Sequence, residues 1–348
     1  MFPPPPLFAA IGAWTWAAIA AGTMLVAAAI FVAILPTVVQ PFLRIVLALR
    51  YRIRVIGLEN VPRTGPVLLA ANHITWFDGF FLAAVLPRKG TALMYAGIFK
   101  LPVIGSLSRR CGLIPVAASG PRAQRAAIDA GRKVLKDGGL LGIFPEAQIS
   151  RSGLTGPFKR GLELIVSGNA ETVVVPVYLG NLWGSLLSNS GGRFLRKWPQ
   201  GLRRSVVVVF GPPVPPPVTA FVVRQAVLEA GVRAAEIAPM APPETVDPTL
   251  PHYTHPTLGA LTGSAQDIAQ PSVGVFQPGH REGSAGLTLP GVVIRAVDDA
   301  GSPLPPDAEG RLQALVPGRG GWADLGQRGH LDGDGFVFLG STRDESAG

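Results

Sequence analysis

No charged side chain occurs between Met1 and Arg44, and that run limits the architectures open to the chain. From Leu7 to Leu35 the residues are Ala, Ile, Leu, Val, Phe and Trp, with Gly, Thr and Met24 as mild interruptions. At ~1.5 Å rise per residue, a helix of this length exceeds the ~30 Å hydrocarbon core of a bilayer. The segment therefore predicts a membrane helix. A secretory signal peptide fits less well, because Phe2-Pro3-Pro4-Pro5-Pro6 brings no positive charge and the run is too long. Pro36 and Pro41 are expected to break the helix ahead of an amphipathic piece, Phe42 to Leu49, suited to the headgroup layer. A re-entrant pair of half-helices is the alternative to one full span. Arg44, Arg50, Arg52 and Arg54 follow closely. Basic residues favour the inner side of a membrane, so the remainder is expected on the cytoplasmic face, in a membrane of the bacterial inner type.

The 348 residues are enough for two domains, and charge divides them. Residues 1–246 hold 25 Lys and Arg against 10 Asp and Glu, a net of +15; residues 247–348 hold 6 Arg against 12 acids, a net of −6. A basic front half suits an anionic partner such as a phosphate-bearing lipid or an acidic carrier protein. Nucleic acid is not expected, since no Lys/Arg run or base-stacking platform accompanies the charge. The single cysteine, Cys111, excludes an internal disulfide and reads as a small packed residue.

Period and punctuation then divide the chain. Residues 1–50 read as membrane anchor and amphipathic segment, 51–238 as an α/β module, 239–256 as a Pro-rich linker and 257–348 as a small β-rich fragment. Within 51–238, strands are expected at 51–57, 66–70, 112–116, 139–144, 173–178 and 205–210. Helices are expected at 79–86, 101–110, 122–136, 158–166 and 221–237. Strands alternating with helices predict an α/β module with a largely parallel or mixed sheet flanked by helices.

His73 is the first histidine of the chain, and it stands between the apolar strand Pro66 to Ala70 and the apolar helix after Asp78. A strand-to-helix turn is where a sheet presents its chemistry. If a helical turn follows His73, Asp78 swings back to the imidazole, fixes its tautomer and stabilises the imidazolium. The alternative is a loop histidine beside a helix-capping aspartate.

The pair is the first of an ordered series. Asn72-His73 and Asp78 are followed by Lys100, Pro102 and Gly105, then Phe144-Pro145-Glu146, Phe158-Lys159-Arg160-Gly161 and Val175-Pro176-Val177. This order and spacing resemble the glycerolipid acyltransferases, which acylate glycerol phosphate, lysophosphatidate or other lysophospholipids. The resemblance implies a glycerolipid-acyltransferase-like α/β fold, with His73 as general base and Asp78 as its orienter. It implies an acyl thioester of acyl carrier protein or coenzyme A as co-substrate, no other cofactor, and membrane lipid as acceptor. Asn72, Lys100, Glu146, Arg151, Lys159 and Arg160 become candidate substrate-binding residues. Arg151 is the phosphate ligand, helped by Lys159 or Arg160; Glu146 either shapes the acceptor pocket or pairs with an arginine. Backbone N–H groups near the helix after His73 are candidate oxyanion donors.

The match has departures. Ala147 stands where a Gly is usual, and Gln148-Ile149-Ser150-Arg151-Ser152-Gly153 follows. That form is similar to the subgroup fused to acyl-activating domains, which acylates lysophosphatidylethanolamine. Arg281 to Gly291 and Leu331-Asp332-Gly333-Asp334-Gly335-Phe336 resemble segments of the adenylate-forming acyl-activating enzymes. The Ser/Thr/Gly-rich ATP phosphate loop is missing and Gln327 stands at the ribose-binding Asp position. No adenylation is expected, and the fragment reads as a degenerate remnant, dispensable for acyl transfer. His252, His255, His280 and His330 lack ligand spacing, so no metal is assigned. A non-catalytic membrane scaffold and an ester or thioester hydrolase are the readings from other classes.

Overall fold

The structure is a computed structural model; it describes residues 7–116, 120–192, 203–270 and 275–340, with side chains in 7–13, 27–37 and at 39, 103, 270 and 275 left out. Two compact units divide it, Met1–Val46 and Leu47–Gly348.

The first unit belongs to α1 (Leu7–Arg50), a helix of 44 residues. It runs through Pro36 and Pro41, which corrects the expected break and the pair of half-helices. Each proline removes one N–H from the ladder and crowds the preceding turn, which bends a helix without ending it when the flanking residues keep helical angles. Trp14, Trp16, Ile19, Met24 and Leu25 are exposed. Among the described residues no helix is long and apolar enough to cross a membrane; the predicted span includes residues 7–13 and 27–35, whose side chains lie outside them.

The second unit is built on a seven-stranded sheet. Its strands are β1 (Tyr51–Ile56), β2 (Val67–Ala71), β3 (Thr91–Tyr95), β4 (Ile114–Val116), β5 (Leu140–Ile143), β6 (Val173–Gly180) and β7 (Arg204–Phe210). The order is β1-β7-β6-β2-β5-β3-β4, and every neighbouring pair is parallel except β6 with β7. The sheet is mixed, as expected. Strand β3 is the element that the sequence reading missed. Its five residues are half-buried or exposed and carry no apolar alternation to mark them.

Among the described residues, five helices connect and cover the strands: α2 (Asp78–Val85), α3 (Pro102–Arg110), α4 (Pro121–Lys136), α5 (Gly161–Val166) and α6 (Ala220–Ile237). Helix α4 begins with Pro at its first position and ends at Asp137, where Gly138 takes a φ of 73° and its N–H returns to Leu135. The apolar residues Leu68, Ala70, Leu141, Ile143, Leu162, Ile165, Val174, Val207, Val223 and Val227 close into one core around the sheet. Burying each such aliphatic side chain contributes about 1.5–3 kcal/mol. Strand β2, buried at every residue, is the middle of this core, with β6 on one side and β5 on the other.

Helix α6 is buried on two sides. Val223, Val227 and Ala234 face the sheet, while Leu228 and Val232 pack with Val293 of the C-terminal region. That region carries a four-stranded antiparallel sheet of Val293–Val297, Gly310–Leu315, Ala323–Leu331 and Val337–Leu339, and a two-stranded ribbon of Ile268–Gln270 with Val275–Gln277. The stretch 239–256, read as a linker, is fastened along its length. Glu244 accepts from the Trp183 indole and from Gly191, Asp247 N–H reaches Ser264, and Val246 bridges to Ala265.

Candidate active site

Parallel strands β2 and β5 end side by side, and each is followed by a turn carrying one part of the site. Crevices at the carboxyl ends of parallel strands are where open α/β sheets place their ligands.

The first part is the turn after β2. His73 Nδ1 lies 2.9 Å from Asp78 Oδ2, with Asp78 wholly buried and the His73 side chain 18% exposed. The same oxygen accepts the N–H groups of Ile74 (2.6 Å) and Thr75 (2.8 Å), and Asp78 Oδ1 accepts the Thr75 hydroxyl at 2.5 Å. Asp78 does not cap its helix; its carboxylate points back at the turn before it. Surrounded by donors, a carboxylate accepts only, so the hydrogen-bond network assigns the proton to Nδ1 and leaves Nε2 as the basic nitrogen. The imidazole stacks on Phe144, with centroids 4.1 Å apart. Because Ile74 and Thr75 spend their N–H groups on Asp78, they are not the oxyanion donors expected near this helix start.

The second part is the turn after β5. Glu146 Oε1 accepts the backbone N–H of His73 at 2.8 Å, and Oε2 accepts that of Gly156 at 2.9 Å. Ser150 N–H in turn donates to the His73 carbonyl at 2.7 Å. Both backbone groups of His73 are thus held by the 146–156 loop. Burial pushes the Glu146 carboxyl up to about 8, against the opposing pull of the His73 and Gly156 amides and of Arg224. Ala147 takes a φ of 56°, the left-handed conformation that explains why Gly is usual there.

Arg224, on α6, is the buried cation of this region and escaped the sequence reading. It donates from Nε to the Gly156 carbonyl (3.1 Å) and from Nη2 to the Thr155 carbonyl (2.9 Å). Burial lowers its pKa to about 10, with Glu146, Asp332 and Asp334 opposing. Its sequence signal was a lone Arg among the apolar positions Val223, Val227 and Leu228. Glu146 therefore holds the His73 turn and lies in the field of Arg224.

The remaining candidates separate. Asn72 is fully buried and its amide exchanges two hydrogen bonds with the Leu179 backbone (2.7 and 3.3 Å), so it joins β2 to β6 and does not face a substrate. Arg160 is exposed and pairs with Glu163 at 3.4 Å. Lys100 is exposed at the end of a short 3-10 turn, and no described contact joins it to the His73 cluster. Lys159 is exposed and lines, with Glu146, Gln148, Ser150 and Gln277, a shallow cleft. Arg151 is half-buried, its N–H held by Gln277 Oε1 at 2.9 Å. Burial pushes the Cys111 thiol up, away from a reactive thiolate. Among the described residues no group of His, Cys, Asp and Glu is arranged to hold a metal.

The comparisons bear on this geometry. Residues 52–180 match the family model Acyltransferase. That segment is similar to acyltransferase domains. A chloroplastic 1-acyl-sn-glycerol-3-phosphate acyltransferase of Arabidopsis thaliana is 32% identical over 37% of this chain and 36% of its own length. The 1-acyl-sn-glycerol-3-phosphate acyltransferase of Bacillus subtilis is 29% identical over 43% of this chain and 73% of its own length. The chain thus spans about a third of the length of the plant relative. Among solved structures, the 1-acyl-sn-glycerophosphate acyltransferase PlsC of Thermotoga maritima aligns with a TM-score of 0.42 at 20% identity, over 52% of this chain and 69% of the other. The matched segment contains both turns of the site, from His73 and Asp78 through Glu146 and Arg151.

The C-terminal segments that resemble acyl-activating enzymes meet one another. Arg281 pairs with Asp332 and, at 2.6 Å, with Asp334, and it covers the Phe336 ring at 4.7 Å. Asp332 also accepts the N–H groups of Asp334 and Phe336. These residues brace a turn.

Proposed function

We propose that the chain transfers a fatty acyl group from an acyl thioester to the free hydroxyl of a lysophospholipid such as 1-acyl-glycerol-3-phosphate. The observation that carries this reading is the His73–Asp78 pair at the end of β2, with Nδ1 engaged and Nε2 left basic. His73 Nε2 takes the proton of the acceptor hydroxyl as its oxygen attacks the thioester carbonyl. The tetrahedral intermediate collapses, the thiolate leaves, and the imidazolium returns the proton to sulfur. Ester and thiol are the products, and no acyl-enzyme is required.

Asp78 holds the tautomer and balances the charge of the imidazolium. Arg151 and Lys159, both near the Glu146 loop, supply cations for the acceptor phosphate. The relatives named 1-acyl-sn-glycerol-3-phosphate acyltransferase support lysophosphatidate as acceptor. The Gln148-to-Gly153 sequence supports lysophosphatidylethanolamine as the second reading. The exposed apolar residues of α1, from Trp14 to Val26, support membrane attachment, with Arg44, Arg50, Arg52 and Arg54 setting the cytoplasmic side.

The test is a matrix of radiolabelled acyl thioesters, on acyl carrier protein and on coenzyme A, against both lysophospholipids, with purified protein in detergent. At least one pairing is expected to yield the diacyl lipid, and His73→Ala to lower its rate by about 10³-fold or more. Free fatty acid formed without acceptor would mark a hydrolase. No product in any pairing would leave a scaffold.

A further inference from the structure

The C-terminal region reaches the site through one side chain. Gln277, at the end of the strand Val275–Gln277, is buried and makes two hydrogen bonds to the loop after Glu146. Its Oε1 accepts the Arg151 N–H at 2.9 Å, and its Nε2 donates to the Ile149 carbonyl at 2.6 Å. From the loop side, Gln148 Nε2 donates to the Phe276 carbonyl at 3.0 Å. Between the two residues Gln277 holds lies Ser150, whose N–H holds the His73 carbonyl. The amide thus spans the loop on both flanks of the group that fixes the proposed base. Gln277, Pro278 and Leu287 also line the cleft beside Glu146 and Lys159.

We propose that Gln277 is a positioning residue for acyl transfer, by which residues outside the acyltransferase-like segment hold the Gln148–Arg151 loop in register with His73. The inference rests on the acyl-transfer reading above. A planar primary amide suits the task because it offers one acceptor and one donor side by side, matching a backbone N–H and C=O two residues apart. Without it, two backbone groups lose their partners at a half-buried place. The loop then loses the constraint that sets Arg151 against the acceptor and Ser150 against His73. The C-terminal region, expected to be dispensable, is on this account part of the working site.

Full-length wild-type, Gln277→Leu, Gln277→Glu and His73→Ala proteins are to be compared in the acyl-transfer assay, with thermal unfolding of each. Leucine keeps the volume and deletes both bonds; glutamate keeps the acceptor for Arg151 N–H and deletes the donor to Ile149. A misplacement of about 1 Å costs on the order of 100-fold in rate, so Gln277→Leu is expected to lower kcat by about 10- to 100-fold. Its acceptor KM rises, its donor KM is unchanged, and Gln277→Glu falls between it and wild type. A merely structural role would lower the unfolding midpoint and leave kcat per folded molecule and both KM values at wild-type levels; that result overturns the proposal. An active wild type with an equally active Gln277→Leu also overturns it while leaving the acyl-transfer reading intact. A His73→Ala protein as active as wild type would overturn the acyl-transfer reading, and this inference with it.

Discussion

The turn at His73 and the loop at Glu146 end neighbouring strands and hold one another, yet they are built in opposite ways. The His73 turn is closed by its own residues: His73, Ile74, Thr75 and Asp78 satisfy each other within six positions. The Glu146 loop is assembled from far away, with Arg224 at Thr155 and Gly156, Gln277 at Ile149 and Arg151, and Thr245 at Ser152. The local turn sets the ring of His73 through Asp78, while the Glu146 loop holds the His73 backbone. A loop with remote supports makes the surroundings of that ring depend on how the whole unit is packed.

The largest expected effect tests the self-contained side. Asp78→Asn keeps the shape of the carboxylate but places an NH2 among donors from Ile74, Thr75 and His73. A fall in kcat of about 100-fold or more is expected, measured in the acyl-transfer assay. A stability loss of about 1–3 kcal/mol should accompany it in urea unfolding, because a buried donor is left facing donors. If Asp78→Asn kept full turnover, the turn would not be the orienting device it resembles.

The loop side is sharpened by pH. Glu146 has a folded-state pKa near 8 against an ordinary value of 4.5, so its protonated form is the one that the fold accommodates. The stability tied to that proton is fully present below about pH 4.5 and lost as pH rises through about 8, on the order of 5 kcal/mol in all. Glu146→Gln should therefore gain on wild type as pH is raised from 5 to 9 in denaturant titrations. Parallel pH profiles for the two proteins would contradict the burial argument.

The smallest effect sits between the two. Ala147 pays for a left-handed backbone at φ 56°. Ala147→Gly should stabilise the protein by about 0.5–1 kcal/mol, visible as a higher urea midpoint with an unchanged slope. A lower midpoint would mean that the Ala147 methyl group contributes more to packing than its backbone angle costs.

The same contrast explains what the sequence disclosed. The His73–Asp78 contact was legible because five residues across one helical turn fix its geometry. Buried runs such as Val67–Ala71 and the alternation of strand with helix gave the mixed sheet for a similar reason. The supports of the Glu146 loop were not legible, since nothing local to Gln277 or Arg224 says which backbone they will meet. Asn72 misled for the converse reason: its place beside His73 suggested a ligand, whereas its amide continues the strand pairing toward Leu179. Helix α1 runs through two prolines that read, from the sequence, as helix breakers.

Helix α6 adds a constraint in time. A chain is made from its amino terminus, and α6 is complete about 50 residues before Val293 is added. Until then Leu228 and Val232 lack Val293, and Arg224 has its loop carbonyls without the aspartates beyond residue 330. The sheet and helices of residues 51–237 must therefore wait, half-wrapped, for the stretch from Val293 to Asp334 to be synthesised.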